Sequence, residues 1–133
     1  MGTVEGARGG DPAGLTSAQL EAAAATFDML STPNRLHLMW LLCHGERDVG
    51  RLATEVDATV ATVSQHLAKL RLAGLVSARR QGRYQIYRID DPYVAMLVEL
   101  VFEHIAPDGS LTAGPGTQDR RGRRRPRIET RAR

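Results

Sequence analysis

Apolar side chains recur at three- and four-residue spacing along most of the chain, and that spacing predicts helices. Thr16-Ser17 has the character of a cap, and Leu20, Ala23, Ala24, Phe27 and Leu30 continue from it as a stripe, giving a first helix over 16–30. Ser31-Thr32-Pro33 breaks and restarts the chain, because proline suits a first helical turn. A second helix is expected over about 34–43 with Leu36, Met39, Trp40 and Cys43 inward, ended by Gly45. Asp48 caps a short third helix over 49–56, and after Asp57-Ala58-Thr59 a fourth begins with Val60, Val63, Leu67 and Leu70 as its buried stripe. Gly74 stops it with a left-handed residue. Residues 75–80 and 83–89 have β-branched and aromatic content around Gln81-Gly82, which predicts a two-stranded hairpin. A last helix starts at Asp90-Asp91-Pro92 and runs to about Ala106.

Two of these helices are unusual. The side of the fourth away from its stripe carries Thr59, Thr62, Gln65, His66 and Lys69 without a carboxylate, a surface suited to phosphates. The last helix is apolar nearly all round, interrupted only by Glu99, Glu103 and His104, and a domain of this size cannot bury every side of it. A two-fold homodimer is therefore expected, with Leu20, Ala24, Phe27, Val94, Leu97, Val98, Val101, Phe102 and Ile105 at its interface and Ala22 to Ala25 allowing close approach.

The chain's 133 residues suit one domain, with a flexible arm over 1–14, a folded unit over 15–106 and a disordered arginine-rich tail over 107–133. The net charge of +3 conceals a segregation: residues 58–90 hold six bases and one acid, and 107–133 hold eight bases and three acids. Such basic blocks are the electrostatic requirement for nucleic-acid binding. Cys43 is the single cysteine, so an intrachain disulfide or a zinc site built from cysteines of one chain is excluded. Neither an apolar run of membrane-spanning length nor a secretory signal is present, and a cytoplasmic protein is expected. No Ser/His/Asp order, phosphate-cradling glycine loop or His-rich motif suggests an enzyme, and no catalytic residue is assigned.

The order of helix, short helix, turn, polar-faced helix and basic hairpin is that of a winged helix-turn-helix: mainly α, about five helices with a two-stranded wing. A helix enters the major groove with its polar face on base edges, and a basic hairpin reaches the adjacent backbone or minor groove. Thr62, Ser64, Gln65 and His66 are thus expected to present donors and acceptors to double-stranded DNA, with Thr59 and Lys69 beside them. Arg79, Arg80, Gln81 and Arg83 sit at the wing tip, where the arginines position rather than specify.

The stretch Thr62-Val63-Ser64-Gln65-His66-Leu67-Ala68-Lys69-Leu70, continued by Ala73-Gly74-Leu75-Val76, Arg80-Gln81-Gly82-Arg83 and Tyr87-Arg88-Ile89, resembles the ArsR/SmtB family of bacterial winged-helix repressors. Leu30-Ser31-Thr32-Pro33-Asn34-Arg35-Leu36 is similar to that family's entry to its second helix. The resemblance spans about residues 16–106 and implies a dimeric transcriptional regulator, a repressor on a palindromic operator, typically released by a metal ion or another chemical signal. The alternative is a winged-helix protein-interaction module, or a signal-independent regulator acting with a separate metal-responsive partner.

The signal is where the chain departs from the family. Many members carry a Cys-x-Cys motif near the third helix, where this chain reads Arg47-Asp48-Val49-Gly50-Arg51-Leu52. Others hold zinc, nickel or cobalt between the last helices of the dimer, through an Asp and a His near the helix start and a His plus His or Glu at its end. Aligned on Val94, this chain keeps Asp91 and His104 but has Tyr93 and Pro107 at the other positions, half of a four-ligand set for a divalent transition metal. Waters or other donors, such as Glu103 or Asp108, would have to complete it, with lower affinity. Cys43 reads as a core thiol, His44 as a helix C-cap, His37 as solvated, and Glu99 with Glu103 as the wetted edge of the last helix.

Overall fold

The computed structural model describes residues 14–112. Five helices are interleaved with three short strands: α1 Ser17–Met29, α2 Pro33–Cys43, β1 Arg47–Asp48, α3 Val49–Val56, α4 Val60–Leu72, β2 Ser77–Gln81, β3 Tyr84–Arg88 and α5 Pro92–Glu103. The arrangement is a winged helix-turn-helix with a three-stranded antiparallel sheet in the order β1-β3-β2. The arm over 1–14 and the tail over 107–133 lie outside the described residues, apart from Gly14 and 107–112.

Local chemistry sets the helix starts. Thr16 and Gln19 exchange hydrogen bonds in a capping box, Thr32 caps α2 ahead of Pro33, and the Asp48 carboxylate accepts from the Arg51 N–H at 2.8 Å. Between α3 and α4 the chain turns through Asp57 at φ 57°, a left-handed conformation that aspartate tolerates better than most side chains. At the far end of α4, Gly74 takes φ +81° while its N–H bonds the Arg71 carbonyl and the Leu75 N–H bonds that of Leu70. This pairing closes the helix as a Schellman motif and turns the chain into the wing.

The core gathers one face of α2, α3, α4 and α5: Leu38, Met39 and Leu42 of α2, Leu52 and Ala53 of α3, Val63, Leu67 and Leu70 of α4 and Val98 of α5, with Leu30, Leu75 and Val76 from the connecting segments. Burying each large aliphatic side chain contributes roughly 1.5–3 kcal/mol relative to leaving it exposed. The three core residues of α4 thus hold that helix at a fixed rotation about its axis.

Four sequence expectations need correction. Val60 does not join the stripe; it is 51% exposed in the first turn of α4, beyond the reach of the core. The wing has a third strand, because β1 pairs Arg47 with Tyr87 and Asp48 with Ile86; two polar residues are too few to show a strand period. The last helix ends at Glu103, and Ile105 bridges to Leu111 across a turn in which Asp108 accepts from the N–H and hydroxyl of Ser110. Val98, expected at the dimer interface, is instead sealed in the protomer's own core at 1% exposure, since it lies on the side of α5 that packs against α2. Among the described residues no helix is long and apolar enough to cross a membrane.

Candidate nucleic-acid interface

With Val63, Leu67 and Leu70 turned inward, geometry puts Ala61, Thr62, Ser64, Gln65, Ala68 and Lys69 in solvent. Thr59 is committed to capping: its hydroxyl accepts from the Thr62 N–H at 3.1 Å and donates to the Thr62 hydroxyl at 2.9 Å. The Thr62 O–H consequently keeps its own proton for an outside acceptor. Among the described residues Ser64, Gln65 and Lys69 form no side-chain hydrogen bond or ion pair, so their polar groups are available to a ligand. His66 stands apart, half-buried on the flank of α4 rather than on its outward face. Burial, with the Arg35 and Lys69 cations nearby, lowers its pKa below the ordinary imidazole value. At neutral pH it is thus a neutral donor and acceptor and not a phosphate-pairing cation.

The hairpin joins Gln81 to Tyr84 through the two-residue loop Gly82-Arg83, with Gly82 at φ +65°. Positive φ at the first loop position alone is the type II′ geometry, for which glycine is suited. The loop carries Arg83 outward, and Arg80 is exposed nearby; neither has an ion-pair partner among the described residues. Arg79 differs. One guanidinium nitrogen lies 2.9 Å from Glu46, and another donates to Gln81 at 2.9 Å, which occupies the amide oxygen of Gln81. Glu46 also meets Arg88 at 3.4 Å, and Arg88 pairs with Asp90 at 2.6 Å. On the near side of α3, Glu55 is matched by Arg47 at 3.0 Å and Arg51 at 3.2 Å. The sequence gives no hint of Glu46 in this role, because it lies 33 positions before Arg79 and becomes its neighbour only through β1.

The other predicted groups are spread over the molecule. Asp91 caps α5, accepting from the Tyr93 N–H at 2.8 Å, and His104 is the C-cap at the opposite end. Thirteen residues of helix put them ~20 Å apart. Among the described residues no three His, Cys, Asp or Glu side chains converge, and Asp91 and His104 of one protomer do not fit a shared metal. Cys43 packs partly buried against α5, with Sγ 3.6 Å from the Ala95 carbonyl. Burial, reinforced by Glu99, pushes its pKa up to about 11 and keeps it a thiol. His44 donates from Nδ1 to the Trp40 carbonyl at 2.8 Å, closing α2 as a C-cap.

Apolar surface is concentrated on two helices. No residue of α1 is buried in the protomer, and Leu20 and Phe27 are 54% and 58% exposed. On α5, Tyr93, Met96 and Leu100 form an exposed row at helical spacing, while Val94, Leu97, Val101 and Phe102 are half-buried. Ala24 is exposed and Ile105 half-buried. Beside Phe102 a cavity of about 500 Å³ opens between the start of α2 and the end of α5, lined by Ser31, Pro33, Leu36, His37 and Trp40.

Comparison with known proteins agrees with this geometry. Residues 32–78 match the family model described as bacterial regulatory protein, arsR family. The HTH-type transcriptional regulator KmtR of Mycobacterium tuberculosis is 40% identical over 102 residues, covering 74% of this chain and 77% of that protein. The cadmium resistance transcriptional regulatory protein CadC homolog of Staphylococcus aureus is 34% identical over 82 residues, 61% of this chain and 68% of that one. Among solved structures, the homodimeric winged helix-turn-helix DNA-binding domain of Mb0332 from Mycobacterium bovis superposes with a TM-score of 0.62 at 38% identity, covering 68% of this chain and 87% of that one.

Proposed function

Because this chain belongs to the arsR family of bacterial regulatory proteins, we propose that it is a dimeric, sequence-specific DNA-binding transcriptional regulator, a repressor of a palindromic operator, acting in the cytoplasm without enzymatic activity. The observation that carries this reading is the outward face of α4, polar and free of carboxylates from Thr59 to Lys69, followed in the chain by a hairpin whose loop presents Arg83.

In this reading α4 enters the major groove. Gln65 is the base-reading side chain, since its amide matches an adenine edge, while Thr62, Ser64 and Lys69 serve phosphates or neighbouring bases. Arg80 and Arg83 contact the backbone or minor groove, and Thr59 acts indirectly by holding the start of α4. His66, neutral and half-buried, supports the helix from its flank. Two copies present two recognition helices, which a palindrome requires.

The dimer joins α1 to α5, with Leu20, Ala24 and Phe27 of α1 meeting α5 of the other protomer. The structure's exposed row adds Tyr93, Met96 and Leu100 to the residues read from sequence, while Val94, Leu97, Val101, Phe102 and Ile105 flank that row. No metal step is assigned to Asp91 and His104, because each of the two symmetry-related sites of a dimer would receive one Asp91 and one His104, half of a four-ligand set.

Gln65→Ala is expected to lose about 1–3 kcal/mol of discrimination at one position of each half-site, whereas Arg83→Ala should weaken all duplexes alike and lower the salt slope by about 1 per wing. Competition binding against single-base operator variants checks this, and identical profiles for the two variants would contradict the roles. Leu100→Glu should give a folded monomer with native circular dichroism, since Leu100 lies outside the protomer core; sedimentation showing an intact dimer would contradict the interface. Titrating the operator complex with zinc, nickel and cobalt should leave its affinity unchanged in the wild-type chain. Metal-driven release that disappears in His104→Ala would assign a working site to Asp91 and His104.

A further inference from the structure

The wing holds fewer free cations than its sequence suggests. Arg79 and Arg88 are matched by Glu46 and Asp90, leaving Arg80 and Arg83 as the unpaired arginines of the hairpin among the described residues. The register explains the selection. Arg79 faces Ile86 and Ser77 faces Arg88, so Arg79 and Arg88 share one face of the sheet, and successive residues alternate, which puts Arg80 on the other. Glu46, one residue before β1, comes up beside Arg88 and reaches diagonally past β3 to Arg79 on β2. The side chains of Arg79, Glu46 and Arg88 are 45%, 40% and 50% exposed. An ion pair in that setting is weak enough for a phosphate to compete with it, yet while intact it offers DNA no counterion to release.

Resting on the DNA-binding reading above, we propose that Glu46 is a built-in counter-ion that withholds Arg79 from the DNA backbone and so limits the sequence-independent affinity of the wing. Non-specific binding scales with the number of cations available to phosphates, whereas discrimination comes from base edges read by α4. Removing one cation per wing from the first term without touching the second lowers the affinity for every duplex alike and leaves the preference for the operator to α4. The Gln81 amide, which accepts from the same guanidinium, keeps Arg79 turned along the strand.

The test is the salt dependence of binding to a random duplex and to an operator selected from a random pool, measured on the full chain. Glu46→Gln should raise affinity for the random duplex about two- to fivefold per wing. It should also steepen the log–log salt slope by about 0.9 per wing, one added phosphate contact each. Arg79→Gln alone should leave the slope unchanged, since its cation is already engaged, and in the double variant the effect of Glu46→Gln should vanish. Overturning results are an unchanged slope in Glu46→Gln, a loss of affinity without a change in slope, which would make Glu46 a mere brace of the wing, or a loss of slope in Arg79→Gln as large as that in Arg83→Ala. Absence of salt-dependent binding by the wild-type chain would remove the DNA-binding reading itself and this inference with it. Should Glu46→Gln fail to fold, the slope of Arg79→Gln decides alone.

Discussion

The burial of Val63, Leu67 and Leu70 against α2 and α3 is the constraint on which the rest of the structure depends. Three large side chains on one face of a 13-residue helix fix its rotation, and once that is fixed the positions of Thr62, Ser64, Gln65 and Lys69 follow from a period of 3.6 residues. The caps act on the same helix. Thr59 defines its first turn and Gly74 its exit, so a polar surface whose Ser64, Gln65 and Lys69 side chains form no hydrogen bond among the described residues is oriented from behind and from its ends.

Charge is distributed around that surface with equal economy of means. Three acids near β1, in α3 and at the wing's end are each matched by arginines: Glu55 by Arg47 and Arg51, Glu46 by Arg79 and Arg88, Asp90 by Arg88. What remains unpaired among the described residues of the basic block 58–90 is Lys69, Arg71, Arg80 and Arg83, four of its six bases. Cation number governs how strongly a protein holds any duplex, and the pairing of Arg79 and Arg88 sets that number below its compositional maximum.

Most of the fold was legible because its signals are local. Helix stripes, the Thr16, Asp48 and Thr59 caps, Gly74 and the Gln81-Gly82 turn all act within a few residues, and each predicted an element now observed. The outward set on α4 followed from the same periodicity. What escaped was nonlocal or too short to carry a period: β1 has two residues, and the Glu46 clamp exists only because β1 joins β3. Val60 and Val98 were misplaced for a related reason. Periodicity tells which side chains share a face, but not how far along a helix the core extends or which of two apolar sides faces the protomer itself.

The most direct test of the central claim is an NMR titration of the isotopically labelled chain with an operator duplex obtained by selection from a random pool. The largest amide and side-chain shifts are expected at Thr62, Ser64, Gln65 and Lys69 and at Gly82 and Arg83, with the core residues Leu67 and Leu70 nearly still. Shifts concentrated on α3 or on the free face of α5, with the outward side of α4 unperturbed, would contradict it.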